Sequence, residues 1–219
     1  MTDNFLYIDT IYRSRMTMLD ILAARGYIVD KYRKFSPAEA AAASNSYESL
    51  SFKLTKEDPT KICEVRYKNY SSAKAINAFD DVEQDVDTEN LEIIVMTTFP
   101  ITEKYHQVAF KEYMKIKDEV NENGDKVKRK LRVSFFNIEA IVINPLTHVL
   151  VPKHEIVPED QHKELMDSLY VTSKAKFPEI KFHLDPIARC IGAVPGDIIK
   201  ITRPSASAGV SIMYRVCSI

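Results

Sequence analysis

The chain has 219 residues, 45% hydrophobic and 28% charged, the composition of an ordinary globular protein long enough for two modest domains. Its 30 Lys and Arg almost balance 31 Asp and Glu, so no global positive field draws it onto nucleic acid, which argues against a free-standing, non-specific DNA binder. The longest apolar run, around Ile93, Ile94, Val95 and Met96, is too short to span a bilayer; no apolar signal core follows the acidic start Met1-Thr2-Asp3-Asn4; and three scattered cysteines (Cys63, Cys190, Cys217) argue for a reducing compartment over a disulfide framework.

Ile8, Ile11, Arg15, Met18, Leu19 and Leu22 recur at three- and four-residue steps and predict an amphipathic helix. Gly26 follows where such a helix takes a left-handed cap. Ser36-Pro37-Ala38-Glu39 predicts a second helix start, with a hydroxyl cap, proline in the first turn and a carboxylate to close a capping box. Alternation then takes over. Leu50, Phe52 and Leu54 share one face of a predicted strand, and Cys63, Val65 and Tyr67 one face of another.

Residues 71–79 read as a helix, with Ala73, Ile76 and Phe79 apolar. The stretch 80–92 carries seven carboxylates and no base, the pattern of a solvated helix end and loop. Residues 91–97 form a β-rich apolar run of the kind buried between helices. A helix rich in Lys and Glu is expected over 102–117, then a turn at Asn123-Gly124-Asp125, then five bases within the seven residues 126–132. Strand, helix, strand, helix in this order predicts an α/β domain.

The texture changes near Asn137: seven of the ten prolines fall within 145–204, punctuating short elements. Asp185-Pro186-Ile187-Ala188-Arg189-Cys190-Ile191-Gly192 predicts a compact helix with an Asp cap, Pro at its first position and Gly at its exit. Residues 197–202 and 209–216 alternate like the arms of a hairpin, with Val210, Ile212, Tyr214 and Val216 on one face. Ile199, Ile201, Ile212 and Tyr214 are expected in the core, Gly192, Gly196 and Gly209 at the turns, and Glu159 on a solvent face. A boundary near residue 138 divides the chain into 1–138 and 139–219.

Several stretches of the second domain occur together and in order: Leu150-Val151-Pro152-Lys153-His154, Asp185 to Arg189 with Gly192, Gly196-Asp197-Ile198-Ile199-Lys200-Ile201, Arg203, Ser205, Ala208-Gly209 and Tyr214-Arg215. On them the chain resembles the shared fifth-largest subunit of eukaryotic DNA-directed RNA polymerases, whose small archaeal counterpart corresponds to this domain alone. In the first domain Arg13, Thr17, Met18, Leu19 and Arg25-Gly26-Tyr27 are similar to the family's opening helix. Two departures stand out. Tyr12 occupies a position where members often have Trp, and the family's Thr-Pro-Ser-Ala loop appears at best as Phe99-Pro100-Ile101-Thr102. Large nucleocytoplasmic DNA viruses encode similar subunits, so the resemblance admits a cellular or a viral source.

The resemblance implies a non-catalytic assembly subunit with two parts. A restriction-endonuclease-like α/β jaw would lie beside downstream duplex DNA, and a small α+β C-terminal domain would dock on the largest polymerase subunit. Residues implied near DNA are Pro100, Thr102, Lys128, Arg129, Lys130 and Arg132. Those implied at subunit contacts are Lys153, His154, Arg189, Arg203, Ser205, Gly209, Tyr214 and Arg215. No cofactor, membrane or small-molecule substrate is expected, since the magnesium chemistry belongs to the two largest subunits. The site of action is the nucleus for a cellular chain, and host cytoplasm or virion for a viral one.

A stand-alone nuclease-fold DNA-binding protein is the rival reading. Such an enzyme needs a carboxylate before one strand and an acidic-x-Lys on the next to hold Mg²⁺ and activate water. Asp58-Pro59 and Glu64-Val65-Arg66 come nearest, but Arg stays protonated and makes a poor base. The five histidines (His106, His148, His154, His162, His183) have no ligand spacing, and five glycines form no phosphate loop.

Overall fold

The computed structural model describes residues 2–44, 46–58, 60–69, 90–120, 126–128 and 130–219, with side chains for all of these but 2–4, 47, 116–120 and 126–128. It contains two compact units, Met1–Ile143 and Asn144–Ile219. The expected helix over 71–79, most of the acidic stretch 80–92, and the turn at Asn123, Gly124 and Asp125 lie outside the described residues.

In the first unit, the predicted opening helix is α1 (Thr2–Ala24). Its repeating stripe buries Ile11, Met18, Leu19, Ile21 and Leu22 completely, and Ser14 and Arg15 lie buried within the same face. Gly26 ends the helix at φ 84°: its N–H donates to Ala23 O (2.9 Å) and that of Tyr27 to Leu22 O (3.0 Å), the double bond of a Schellman cap. Two short helices follow, α2 (Asp30–Arg33) and α3 (Pro37–Ala43). The capping box is complete: Ser36 Oγ accepts from Glu39 N at 3.2 Å, and Ser36 N donates to Glu39 Oε2 at 2.7 Å.

Leu50 departs from expectation. It ends a one-turn helix, α4 (Tyr47–Leu50), and strand β1 starts only at Phe52 (Phe52–Thr55). The cause is local: the serines at 46, 49 and 51 bond back onto the turn, Ser49 Oγ to Ser46 O (2.6 Å) and Ser51 N to Glu48 O (3.1 Å). Leu50 remains fully buried, and its carbonyl accepts from the buried Arg15 guanidinium. That guanidinium lies between the rings of Phe35 and Phe52, 4.3 and 4.2 Å from their centroids.

Strand β2 (Ile62–Tyr67) pairs antiparallel with β1, with Phe52 opposite Val65 and Leu54 opposite Cys63. The apolar run is β3 (Leu91–Thr97), buried at every position and parallel to β2. Helix α5 (Glu103–Met114) stops before the expected 117, because the chain turns extended into β4 (Ile116–Val120). That strand forms a two-stranded antiparallel ribbon with β5 (Lys126–Lys128). Strand β6 (Arg132–Asn137) then returns parallel to β3, completing the sheet order β1-β2-β3-β6. Between β3 and β6, α5 seats Tyr105 against Phe135, ring centroids 5.0 Å apart.

The units divide between Ile143 and Asn144, past residue 138 where the sequence placed the boundary. Beyond β6 the chain makes a turn, anchored by Ala140 N on Asn137 Oδ1 (2.9 Å), which buries Ile138 and Ile141 in the first unit. The change in proline density begins only at Pro145.

The second unit is a sheet in the order β7-β9-β10-β8. Strand β7 (Lys153–Ile156) pairs antiparallel with β9 (Ile198–Ser205), β9 forms the predicted hairpin with β10 (Gly209–Ser218), and β8 (Glu179–Lys181) runs parallel to β10. Helix α7 (Pro186–Ile191) opens with Asp185 Oδ1 accepting from Ile187 N and Ala188 N (2.8 and 3.0 Å) and exits at Gly192 with φ 76°. Helix α6 (His162–Ser168) is the other α-helix of the unit, beside three single 3-10 turns.

Apolar residues cover both faces of this sheet. Ile199, Ile201 and Cys217 pack with Ile180, Ala188 and Ala193 on the α7 side. Ile198 and Val216 pack with Phe177, Leu165 and Tyr214 on the other. Ile199 and Ile201 are therefore core, as expected, and Tyr214 packs at the edge of a core cluster. Ile212 is not core: it is 52% exposed, as is Val210 at 57%. The hairpin outruns the helix and turns that cover its other end, so the same strand face is buried at Val216 and open at Ile212.

Candidate nucleic-acid and subunit interfaces

The sheet of the first unit separates the residues implied near DNA into two places. Pro100 and Thr102 are exposed in the connection leaving the C-terminal end of β3. Asn69 and Asn137, at the corresponding ends of β2 and β6, pin that connection. Asn69 Oδ1 accepts from Thr98 N (3.0 Å) and Thr98 Oγ1 (2.8 Å), and Asn137 Nδ2 donates to the carbonyls of Thr98 and Phe99 (3.1 and 3.0 Å). No local pattern marks these two asparagines, because a loop clamp depends on which strand ends meet.

The basic run lies at the opposite end. Arg132 opens β6 opposite Glu92 near the start of β3, whereas Asn137 stands opposite Thr97. Five residue steps at ~3.3 Å each put the two ends about 17 Å apart, so Thr102 and Arg132 cannot touch one phosphate. Lys128 closes β5, Lys130 turns the chain at φ 52°, and both Lys130 and Arg132 are exposed; Arg129 lies outside the described residues.

Around Arg132 the structure assembles groups distant in sequence. Glu92 is buried; Arg25 pairs with its Oε1, and Tyr27 Oη donates to its Oε2 at 3.1 Å. Burial alone would push this carboxyl up, but the Arg25 guanidinium overrides it and holds it below the usual carboxylate range. Lys56 Nζ stands 4.8 Å from the centre of the Tyr27 ring. Burial lowers the Lys56 ammonium from its ordinary value; Glu92 opposes this, and Lys61, Arg132 and Arg25 add to it.

The residues of the nuclease reading are placed against catalysis. Glu64 Oε2 accepts from Arg66 Nε and Nη2 (2.9 and 2.7 Å), and its Oε1 pairs with Lys53. Asp58 Oδ1 is turned onto Thr60 N and Oγ1 (3.1 and 2.7 Å). A cavity of about 290 Å³ opens beside Lys53, Glu64, Arg66 and Lys68, but its carboxylate is already shared by two cations. Among the described residues no three His, Cys, Asp or Glu side chains gather as metal ligands. The buried thiols of Cys63 and Cys217 are pushed up by burial, Cys217 to about 12, and are poor nucleophiles near neutral pH. His154 Nδ1 and His162 Nε2 lie at 2.7 and 3.0 Å from the carbonyls of Pro152 and Val157. No described helix is long and apolar enough to cross a membrane.

In the second unit, the residues implied at subunit contacts divide likewise. Arg203, Ser205 and Gly209 cluster at the open end of the hairpin, where Ser205 Oγ accepts from Ala208 N (3.3 Å) and Gly209 takes φ 70°. Lys153 and His154 stand beside Thr202 and Ile201 across the β7–β9 pairing, and Lys153 bonds Glu155 at 2.6 Å. Tyr214 packs 6.5 Å from the Phe177 ring, and Arg215 Nη1 donates to Glu179 O at 2.9 Å, so both serve the unit's own structure. Arg189 is half-buried on α7, and burial lowers its pKa from the ordinary value. The sequence reading missed the exposed apolar residues near these groups: Val210 and Ile212 on the hairpin, and Val149 and Leu150, 92% and 82% exposed, ahead of β7.

Comparison with known proteins follows this division. The family model described as RNA polymerase Rpb5, C-terminal domain, matches residues 143–217. The DNA-directed RNA polymerase subunit Rpo5 of Archaeoglobus fulgidus is 51% identical over 69 residues, 32% of this chain and 88% of that protein. Its counterpart in Methanosarcina barkeri is 49% identical over 71 residues, again 32% and 88%. DNA-directed RNA polymerases I, II, and III subunit rpabc1 of Dictyostelium discoideum is 27% identical over 213 residues, 96% of this chain and 98% of that protein. A half-identical match over most of a small archaeal protein, and a full-length one to a eukaryotic protein of the same kind, share one explanation: the chain belongs to the Rpb5 family of RNA polymerase subunits.

Proposed function

We infer that the chain is a non-catalytic structural subunit of a multisubunit DNA-directed RNA polymerase. The observation that carries this is the family match to residues 143–217, which covers almost all of the second unit, the one with exposed apolar residues at its hairpin end. In this reading the second unit docks on the largest subunit. Lys153, His154, Arg203, Ser205 and Gly209 contribute to the contact with Val210 and Ile212, while Arg189, Tyr214 and Arg215 hold the docking surface in shape. The first unit, 1–138 by the sequence boundary, serves as a jaw with a restriction-endonuclease-like core beside downstream duplex DNA. Pro100 and Thr102 lie beside DNA at one end of its sheet, Lys130 and Arg132 at the other, and Lys128 and Arg129 of the same basic run share that role. A cellular chain works in the nucleus, and a virus-encoded one in host cytoplasm or virion.

Purification from its native source under mild conditions, followed by mass spectrometry, tests the subunit reading. Very large partner chains in stoichiometric amount are expected, and a chain recovered alone would overturn it. Metal-dependent DNA cleavage lost in Glu64→Ala would do the same. Neutralising Lys128, Arg129, Lys130 and Arg132 within the assembled enzyme is expected to lower the salt slope of DNA binding by about 0.9 for each phosphate no longer neutralised. An unchanged slope removes the basic run from the DNA path.

A further inference from the structure

At the strand-start end of the first unit's sheet, a cavity of about 110 Å³ is lined by Lys56, Lys61 and Arg132, together with Tyr27, Asn90 and Glu92. Three chain segments build it. The β1–β2 connection folds back on itself, with Lys56 N on Lys61 O (3.2 Å). The start of β2 is tied to the start of β3 by Ile62 N on Asn90 O (2.9 Å), and Arg132 stands opposite Glu92 in the β3–β6 register.

Glu92 attracts Lys56 and Arg132 at a distance but bonds neither of them: its hydrogen bonds go to Arg25 and Tyr27. Among the described residues, Lys56, Lys61 and Arg132 form no ion pair. Glu57 and Asp58 in the same connection do not line the cavity, and Asp58, which attracts Lys61 weakly, directs its carboxylate onto Thr60. Among the described residues, three cations thus line the cavity beside one carboxylate that Arg25 already pairs, and Lys56 is partly desolvated among them. Such crowding of like charge is unfavourable and is relieved by an anion.

We infer that this cavity binds a single phosphate dianion, either free or as a monoester. Size decides the first part: 110 Å³ exceeds the ~30 Å³ share of one water but falls well below the ~300 Å³ at which pockets for whole drug-sized ligands begin. One tetrahedral oxyanion fits, and anything esterified to it lies outside the cavity. Charge decides the second. A phosphate monoester carries about −1.5 to −2 at pH 7 and three strong acceptor oxygens, matching two ammonium groups and a guanidinium. A backbone phosphodiester offers one charge and two substituents that must both leave the cavity. The assignment does not need the subunit reading, but it takes Arg132 out of the basic run proposed beside DNA and leaves Lys128, Arg129 and Lys130 to that role.

Calorimetric titration of the full-length chain with sodium orthophosphate, at constant ionic strength in chloride buffer, tests it. Saturable binding of one ion per chain is expected. It should weaken about tenfold or more in Lys61→Ala and in Arg132→Ala, both of which change exposed side chains. Lys163→Ala, an exposed cation of the second unit, should leave it unchanged. A phosphoserine peptide that displaces phosphate identifies a monoester as the ligand, and one that does not leaves the free ion; either supports the site. Absence of saturable binding, or equal weakening in the Lys163 variant, overturns it. Displacement by a short DNA duplex that binds more tightly than phosphate also overturns it, in favour of a diester contact.

Discussion

The two units solve the problem of burial in opposite ways. The first draws charge into its interior: Arg15, Glu64, Glu92 and Glu112 are all at least nine-tenths buried. The second buries no Asp, Glu, Lys or Arg to that degree among its residues; it leaves Val149, Leu150, Val210 and Ile212 in solvent, as the first leaves Phe5, Leu6 and Ile28. A sheet whose central strand is buried at every position must satisfy any polar group it carries internally, so the first unit's stability depends on specific partners. The smaller unit buries two histidines, His162 and His183, but no Asp, Glu, Lys or Arg, and leaves apolar side chains uncovered at its hairpin end. The difference lies in the charge each interior holds, and it makes the two units vulnerable to different substitutions.

The contrast is broken most strongly at Arg25. Arg25→Met leaves Glu92 as a buried charge with one tyrosine donor, and such a loss costs about 3–5 kcal/mol. Denaturation followed by circular dichroism is expected to show the first unit unfolding early while the second keeps its transition. Adding Glu92→Met should restore most of the loss, because an apolar pair of similar size suits a buried site. If Arg25→Met left the first unit's midpoint unmoved, the pair would not be sustaining it.

In the second unit the corresponding weak point is apolar. Ile201, 6% exposed, packs against Ala188 and Met213, and Ile201→Ala is expected to cost roughly 2–5 kcal/mol of a total of about 5–10 kcal/mol for a domain of this size. The first unit should be unaffected. Transitions that shifted together would mean the units do not unfold separately.

Acid sharpens the comparison further. Glu92 has its folded pKa held below the ordinary ~4.3, so its contribution is complete above the unfolded value and is lost as pH falls through the folded one. Glu64 acts in the same sense: burial raises its carboxyl, and Lys53 and Arg66 more than offset this. The lowered carboxylates of the second unit, Glu179 and Glu155, lie at the surface, where solvent screens them. Between about pH 5 and 3 the amide signals of the first unit should therefore lose dispersion before those of the second. Simultaneous loss would show that the buried carboxylates are not what distinguishes them.

Local chemistry was readable from the sequence and tertiary encounters were not. The capping box at Ser36, the glycine exits at Gly26 and Gly192, and the Asp185 cap each depend on residues within one or two turns, so their spacing carries them. The β3 run was legible because a strand buried on both faces is apolar throughout. Periodicity cannot say where cover ends: Ile212 and Val216 share a face, yet only one is covered. Nor could it join Lys56, Lys61 and Arg132, or clamp the β3–α5 connection with Asn69 and Asn137, because those meetings depend on strand register.

The smallest effect on stability falls at that uncovered face, and it tests the comparison most directly. Ile212 is 52% exposed and lies opposite Thr202 in the hairpin, so Ile212→Asp removes little buried area. Surface changes of this kind usually stay within about 0.5 kcal/mol, and the strand keeps its ladder hydrogen bonds. The melting temperature of the free chain should barely move. An aspartate placed in an apolar contact, by contrast, must be desolvated without a partner, so incorporation into polymerase in competition with the unaltered chain should fall severalfold or more. Glu159→Lys, also exposed but outside the hairpin, should change neither quantity. If Ile212→Asp melted the domain, the hairpin end would be part of its core after all. If it altered neither melting nor incorporation, the exposed apolar end would not be the docking face, and the contact would have to be sought around Val149 and Leu150.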